Sequence, residues 1–167
     1  MKKLLITEIM DEQEVQKLQS TFTTIYDPNL FNNEKKIIEL IPDMDALIVR
    51  NNTLVNETIL SASKQLKVIG RLGVGLNNIN VELCKKKNIT IIPATGANTV
   101  SVAEYVISCI LLLSRKVFSA TESVVAGDWP RTKFMHGLEL YNQTLGIIGL
   151  GSIGKAVATR AKSFDMN

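Results

Sequence analysis

The stretch "GIIGLGSIGKAVATRAKSFDMN", residues Gly146 to Asn167, decides the fold. An apolar run from Thr144 to Ile148 has the length of a buried strand and passes straight into Gly149-Leu150-Gly151-Ser152-Ile153-Gly154, a match to G-x-G-x-x-G. Ile153, Val157 and Ala161 then recur at helical spacing. The glycine pattern is weak alone, but a strand before it and a helix after it make it a dinucleotide-binding turn. Each glycine has a task. Gly149 permits the tight turn, Gly151 lets the backbone approach a pyrophosphate, and Gly154 lets helix and strand pack closely, while the helix N-terminus supplies free N–H groups. The competing reading is an ordinary strand-to-helix turn. The acidic residue that would hold the ribose belongs roughly 20 residues further on, and residues 155–167 alone follow Gly154.

Upstream, apolar runs of strand length alternate with amphipathic helical stretches, the pattern of a parallel sheet covered by helices. Strands are expected at 4–6, 24–26, 46–50, 67–71 and 89–92, and helices from Asp11 to Phe22, over 34–41, 56–63 and 81–87. Asp11 and Glu14 have capping-box spacing. The five strands are complete by about residue 95, which describes a flavodoxin-like domain. A turn-rich linker, residues 94–99, leads to an apolar helix from Ser101 to about Phe118, and an irregular polar stretch containing Trp129 and Pro130 precedes the strand expected at 144–149. The expected fold is therefore α/β, a flavodoxin-like parallel-sheet domain followed by the start of a Rossmann dinucleotide-binding domain.

Composition narrows the function. The formal charge is +3 and the lysines are scattered apart from Lys85-Lys86-Lys87, so there is no electrostatic footprint for nucleic acid. The basic, apolar N-terminus is interrupted by Glu8 and then Asp11-Glu12, too early for a signal peptide, and 100–113 is too short and polar for a membrane span. A cytoplasmic protein is expected. Cys84 and Cys109 lack CxxC spacing, so neither a disulfide framework nor a metal site is indicated.

Two further stretches bear on chemistry. Gly73-Val74-Gly75 follows an expected strand, where glycines turn N–H groups toward an anion, and Arg50-Asn51 at the end of a neighbouring strand borders the same cleft. The structural alternatives are a tight turn and a solvated cap. Ser101 and Glu104 form an S-x-x-E capping box, which accounts for Glu104 without catalysis. His136, the sole histidine, is expected in a surface loop, and a single histidine limits every Ser-His-Asp or Cys-His arrangement.

Taken in order, Ala46-Leu47-Ile48-Val49-Arg50, Gly70 to Ile79, Asn98 to Glu104, Gly137 to Leu140 and Thr144 to Gly154 together resemble the D-isomer-specific 2-hydroxyacid dehydrogenases, with phosphoglycerate dehydrogenase the best-known branch. The resemblance implies NAD, with NADP left open, and hydride transfer at C2 of a small 2-hydroxy or 2-oxo acid. It implies a substrate domain over 1–98 that lacks its C-terminal return, and the first part of the cofactor domain over 99–167. Arg50, Asn51, Val74, Gly75 and Asn98 are thereby implied at the substrate, and Val74, Val102, Gly149, Gly151, Ser152, Ile153 and Gly154 at the cofactor. Ser101 is implied near the domain cleft. The family's catalytic arginine, glutamate and histidine match no position here, and His136 does not replace them. The chain is thus expected to be about the first half of an enzyme, inactive alone. It is also expected to form a homodimer through the helix 101–118 and the segment after it, with Trp129, Arg131 or Lys133 reaching the partner's site. Asn77-Asn78 departs from the family's usual Asp-Asn. A different class of protein on the same scaffold, a non-catalytic cofactor-sensing or dimerising binding protein, is the alternative.

Overall fold

A computed structural model of the chain describes residues 1–167, the side chain of Val117 excepted. The chain divides into two compact units, Met1–Thr95 and Gly96–Asn167.

In the first unit, strands β1 (Lys3–Ile6), β2 (Thr23–Tyr26), β3 (Ala46–Val49), β4 (Val68–Arg71) and β5 (Thr90–Pro93) form one sheet in the order β2-β1-β3-β4-β5. Every pairing is parallel. This is the flavodoxin-like order, and its direction reverses between β1 and β3, which opens a crevice at their carboxyl ends. Helices cover one face of the central strands. Leu5, Leu47 and Ile69 lie side by side in register. They are buried with Ile37 of α2 (Glu34–Leu40), Ile59 and Leu60 of α3 (Glu57–Ala62) and Cys84 of α4 (Val81–Lys86). On the other face Leu4 and Ile6 meet Val15, Leu18 and Phe22 at helix α1 (Glu12–Thr21). Toward β4 and β5 that face lies open: Gly70 and Ile92 line an apolar groove of about 480 Å³, and Ile92 is 57% exposed.

Helix starts in this unit follow side-chain chemistry. The Asp11 carboxylate accepts the N–H groups of Gln13 and Glu14, and Asn33, Asn56 and Asn80 accept at the first turns of α2, α3 and α4. Pro42 does not break the chain at once; it sits in a 3-10 turn, Ile41–Asp43, continuing from α2.

The second unit contains α5 (Thr99–Arg115), α6 (Thr121–Val125), α7 (Arg131–Phe134) and α8 (Ser152–Lys162). Ala103 and Ile107 of α5 are buried with Val157 and Ala161 of α8 and with Leu140 and Met166. Three sequence expectations change here. Helix α5 begins at Thr99, so Ser101 lies inside its first turn and the Ser101–Glu104 capping box does not form. Glu104 instead stands exposed 3.9 Å from the half-buried Arg160, a surface pair of small energetic weight. The same helix stops at Arg115, because Lys116 adopts the left-handed conformation with φ 57°. Finally, 144–149 forms no strand. Among the described residues the segment has a single pairing of parallel type, at Asn167, which donates to the Gln143 carbonyl at 2.8 Å and accepts from the Leu145 amide at 2.8 Å. No helix among the described residues is long and apolar enough to cross a membrane.

Candidate functional site

In the first unit the candidate site is assembled where β1, β3 and β4 end. After β3 the backbone turns sharply, and its amide hydrogens point inward at one carboxylate. Glu8, two residues past β1, is 2% exposed. Its Oε1 accepts from the amides of Arg50 at 2.8 Å and Thr53 at 2.9 Å, and its Oε2 accepts from Asn52 at 3.0 Å. The hydroxyls of Thr7 and Thr53, both buried, lie 2.8 Å apart beside it. Burial pushes the Glu8 carboxyl up. The hydrogen bonds from the Thr53, Asn52 and Arg50 amides, with the Thr53 hydroxyl, outweigh burial and hold it below the ordinary 4.5. The same loop is held from its carbonyl side. Asn78 Nδ2 donates to Thr53 O at 2.8 Å and Arg50 O at 3.1 Å, and its buried Oδ1 has no hydrogen-bond partner. The backbone is thus consumed inward, and the side chains of Arg50 and Asn51 remain exposed.

The next loop follows β4. Val49 and Arg71 are register partners, and the Leu72 amide donates to Val49 O at 2.8 Å, so the two loops leave adjacent positions of the sheet. The Gly73 amide closes onto Arg71 O at 2.8 Å. A Cβ at Gly73 would collide with the Arg71 guanidinium, which lies across it, and Arg71 Nε is buried without a partner. Val74 and Gly75 are exposed beyond this turn. The structure therefore places Arg50, Asn51, Val74 and Gly75 on neighbouring loops at one end of the sheet, with Arg71 between them. Two guanidinium groups beside glycine-rich backbone are suited to a carboxylate or phosphate.

In the second unit the glycine turn has the geometry its spacing implied. Gly149 has φ 93°, a conformation that favours glycine. A Cβ on Gly154 would drive into the Gly149 carbonyl oxygen and come within 3.5 Å of Ile147 Cγ2, so the first and third glycines touch. Gly151 occupies the N-cap of α8 with no side-chain cap, leaving the first-turn N–H groups free for a ligand. Gly149, Gly151, Ser152, Ile153 and Gly154 line one open cleft of about 490 Å³ with Val106 of α5. A pyrophosphate fits such a cradle: uncapped amides, no side chain at Gly151, and a wall too close for one at Gly154. Val102, one turn before Val106, is half-buried and does not line the cleft, and Asn98 is the exposed N-cap of α5. Trp129 is 79% exposed beside a second hollow lined by Val124, Arg131 and Phe134, while Lys133 Nζ lies 5.4 Å from the Phe134 ring. His136 is exposed in a loop.

The sequence profile of the D-isomer specific 2-hydroxyacid dehydrogenase catalytic domain matches residues 4–165. The chain belongs to this family. Among its 2-hydroxyacid dehydrogenase relatives, the (S)-sulfolactate dehydrogenase of Chromohalobacter salexigens is 42% identical over 166 residues, 99% of this chain and 53% of that protein. The D-3-phosphoglycerate dehydrogenase of Methanocaldococcus jannaschii is 40% identical over 167 residues, 100% of this chain and 31% of that one. The crystal structure of NAD+-bound 3-phosphoglycerate dehydrogenase from Entamoeba histolytica superposes with a TM-score of 0.76 at 27% identity, covering 99% of this chain and 52% of the other. The chain thus spans about half or less of the length of these dehydrogenases. Glu8 is the site residue that sequence reasoning missed. Its signal is an acidic residue two positions past an apolar strand, which in the sequence stands out only as an interruption of the apolar N-terminus.

Proposed function

We propose that the chain supplies the substrate-binding unit and the entry to the nucleotide-binding unit of an NAD-linked dehydrogenase acting on a small anionic D-2-hydroxy acid. The observation that carries this reading is the contact between Gly154 and the Gly149 carbonyl beneath the uncapped N-terminus of α8. It builds a phosphate cradle that an ordinary strand-to-helix turn does not require.

In this reading NAD, when bound, accepts or returns the hydride at C2 of the acid. The residues of this chain bind and orient. The N–H groups of Ser152 and Ile153 meet the pyrophosphate, and Gly151 keeps that approach open. Arg50 and Asn51 offer positive charge and hydrogen bonds to the acid, and the Val74-Gly75 backbone presents N–H groups to its carboxylate and to the nicotinamide side. By resemblance to the family, Asn98 serves the substrate and Val102 the cofactor. The proton-transfer residues belong, by the family reading, to sequence beyond Asn167. The open face at Gly70 and Ile92 receives the family's C-terminal return, and the α5 helix with the Trp129 segment forms a homodimer contact.

The test is to follow NADH oxidation by the complete protein with hydroxypyruvate, phosphohydroxypyruvate, sulfopyruvate and pyruvate. Turnover of one or more, giving the D product, is expected. Tight NAD binding with no turnover of any acid would replace this reading with a cofactor-sensing binding protein.

A further inference from the structure

We infer that Glu8 is a positioning residue for the substrate anion, the centre of a clamp that sets the Arg50-Asn51 loop against the glycine turn after β4. The inference rests on the proposed role of Arg50 and Asn51 at the substrate. A carboxylate as buried as Glu8 is costly to place, and it is retained only where hydrogen bonds satisfy it. Its three backbone donors, the amides of Arg50, Asn52 and Thr53, come from one short loop. A structural acid with no further task could sit in any capped turn. This one stands at the carboxyl ends of β1 and β3, where the strand order reverses and where ligands of open α/β sheets bind.

Asn78 completes the device from the other side. It donates to the Arg50 and Thr53 carbonyls, and it lies just beyond the Gly73–Gly75 turn. Three of the loop's N–H groups are taken by an acceptor just past β1 and two of its carbonyls by a donor from beyond β4. The backbone then has little freedom, while the Arg50 side chain projects outward. Charge follows the same logic: the carboxylate is buried within the loop's backbone and the Arg50 side chain is exposed, so an approaching anion meets the guanidinium rather than the acid. Glu8 acts through Arg50 and Asn51 and does not touch the reacting atoms.

The test uses the complete enzyme with NADH and whichever of the four 2-oxo acids the wild type turns over. Glu8→Gln keeps the size but turns an NH2 group toward amides that are themselves donors. The expected result is a KM for the acid raised about tenfold or more with kcat and the KM for NADH little changed, the pattern of lost uniform binding. Hydrogen exchange read by mass spectrometry should show faster exchange in the peptide spanning 50–53, with the rest of the sheet still protected. Glu8→Asp, which retains the charge one methylene short, should give smaller changes in both readouts and carries the test if Glu8→Gln does not fold. Loosened 50–53 amides with an unchanged KM overturn the inference, as does a raised KM with those amides still protected. Unchanged behaviour in both variants does the same. A wild type that turns over no 2-oxo acid removes the functional reading itself and this inference with it, an outcome visible before any variant is made.

Discussion

At the scale of single residues, the site depends on contacts that leave no room for substitution. Gly154 faces the Gly149 carbonyl oxygen at a distance no Cβ tolerates. Gly154→Ala should therefore push α8 away from the turn and destabilise the second unit by about 1–3 kcal/mol, the usual range for overpacking. A urea titration of the variant measures that loss, and an NAD titration should show weakened binding. Glu8 predicts a pH dependence. Its folded pKa lies below the ordinary 4.5, so its contribution to stability is full above that value and is lost as pH falls through the folded pKa. Unfolding measured from pH 6 downward should lose stability below about pH 4.5, and Glu8→Gln should flatten that part of the curve. An acid limb identical in wild type and variant would show that other carboxylates carry it.

At the scale of elements, local chemistry and tertiary partners divided the work. The α1 start was legible, since Asp11 accepts from the Gln13 and Glu14 amides. Asp11→Ala should cost about 1 kcal/mol, typical of a lost N-cap, in equilibrium unfolding. The α5 start was not legible, because Ser101 and Glu104 have cap spacing yet Ala103 and Ile107 are drawn into the core shared with α8, and the helix begins at Thr99 instead. Its end was likewise hidden. Lys116 pays a left-handed conformation there, and Lys116→Gly should stabilise the unit by about 1 kcal/mol or less, since glycine enters this region freely. Thermal unfolding would register the gain, and an unchanged or lowered midpoint would show that the lysine side chain matters more than its backbone.

At the scale of the whole molecule, cofactor and partner become the observables. NAD at a concentration 100 times its Kd should add about 2.7 kcal/mol to the stability of the complete protein, and a thermal shift with NAD absent from a Gly151→Val variant would locate that binding at the glycine turn. Leu113 is 73% exposed and Tyr105 70% exposed on α5, and the proposed homodimer should bury that helix. Sedimentation of the complete protein should find a dimer that Leu113→Glu weakens. A monomer in both would assign the apolar surface of α5 to another contact within the same polypeptide.

Sequence by itself determined what rests on local pattern: five parallel strands placed within a residue or two, the α/β class, and a glycine turn whose φ and close packing follow from residue type. It also determined the family, because ordered motifs over residues 4–165 are a linear property. Tertiary structure alone decided what depends on residues far apart in the chain. It drew Glu8 to amides 42 to 45 positions away and Asn78 to carbonyls 25 and 28 positions away. A hydrogen bond between distant segments has no period and no spacing, so it becomes visible only when the sheet has brought its ends together.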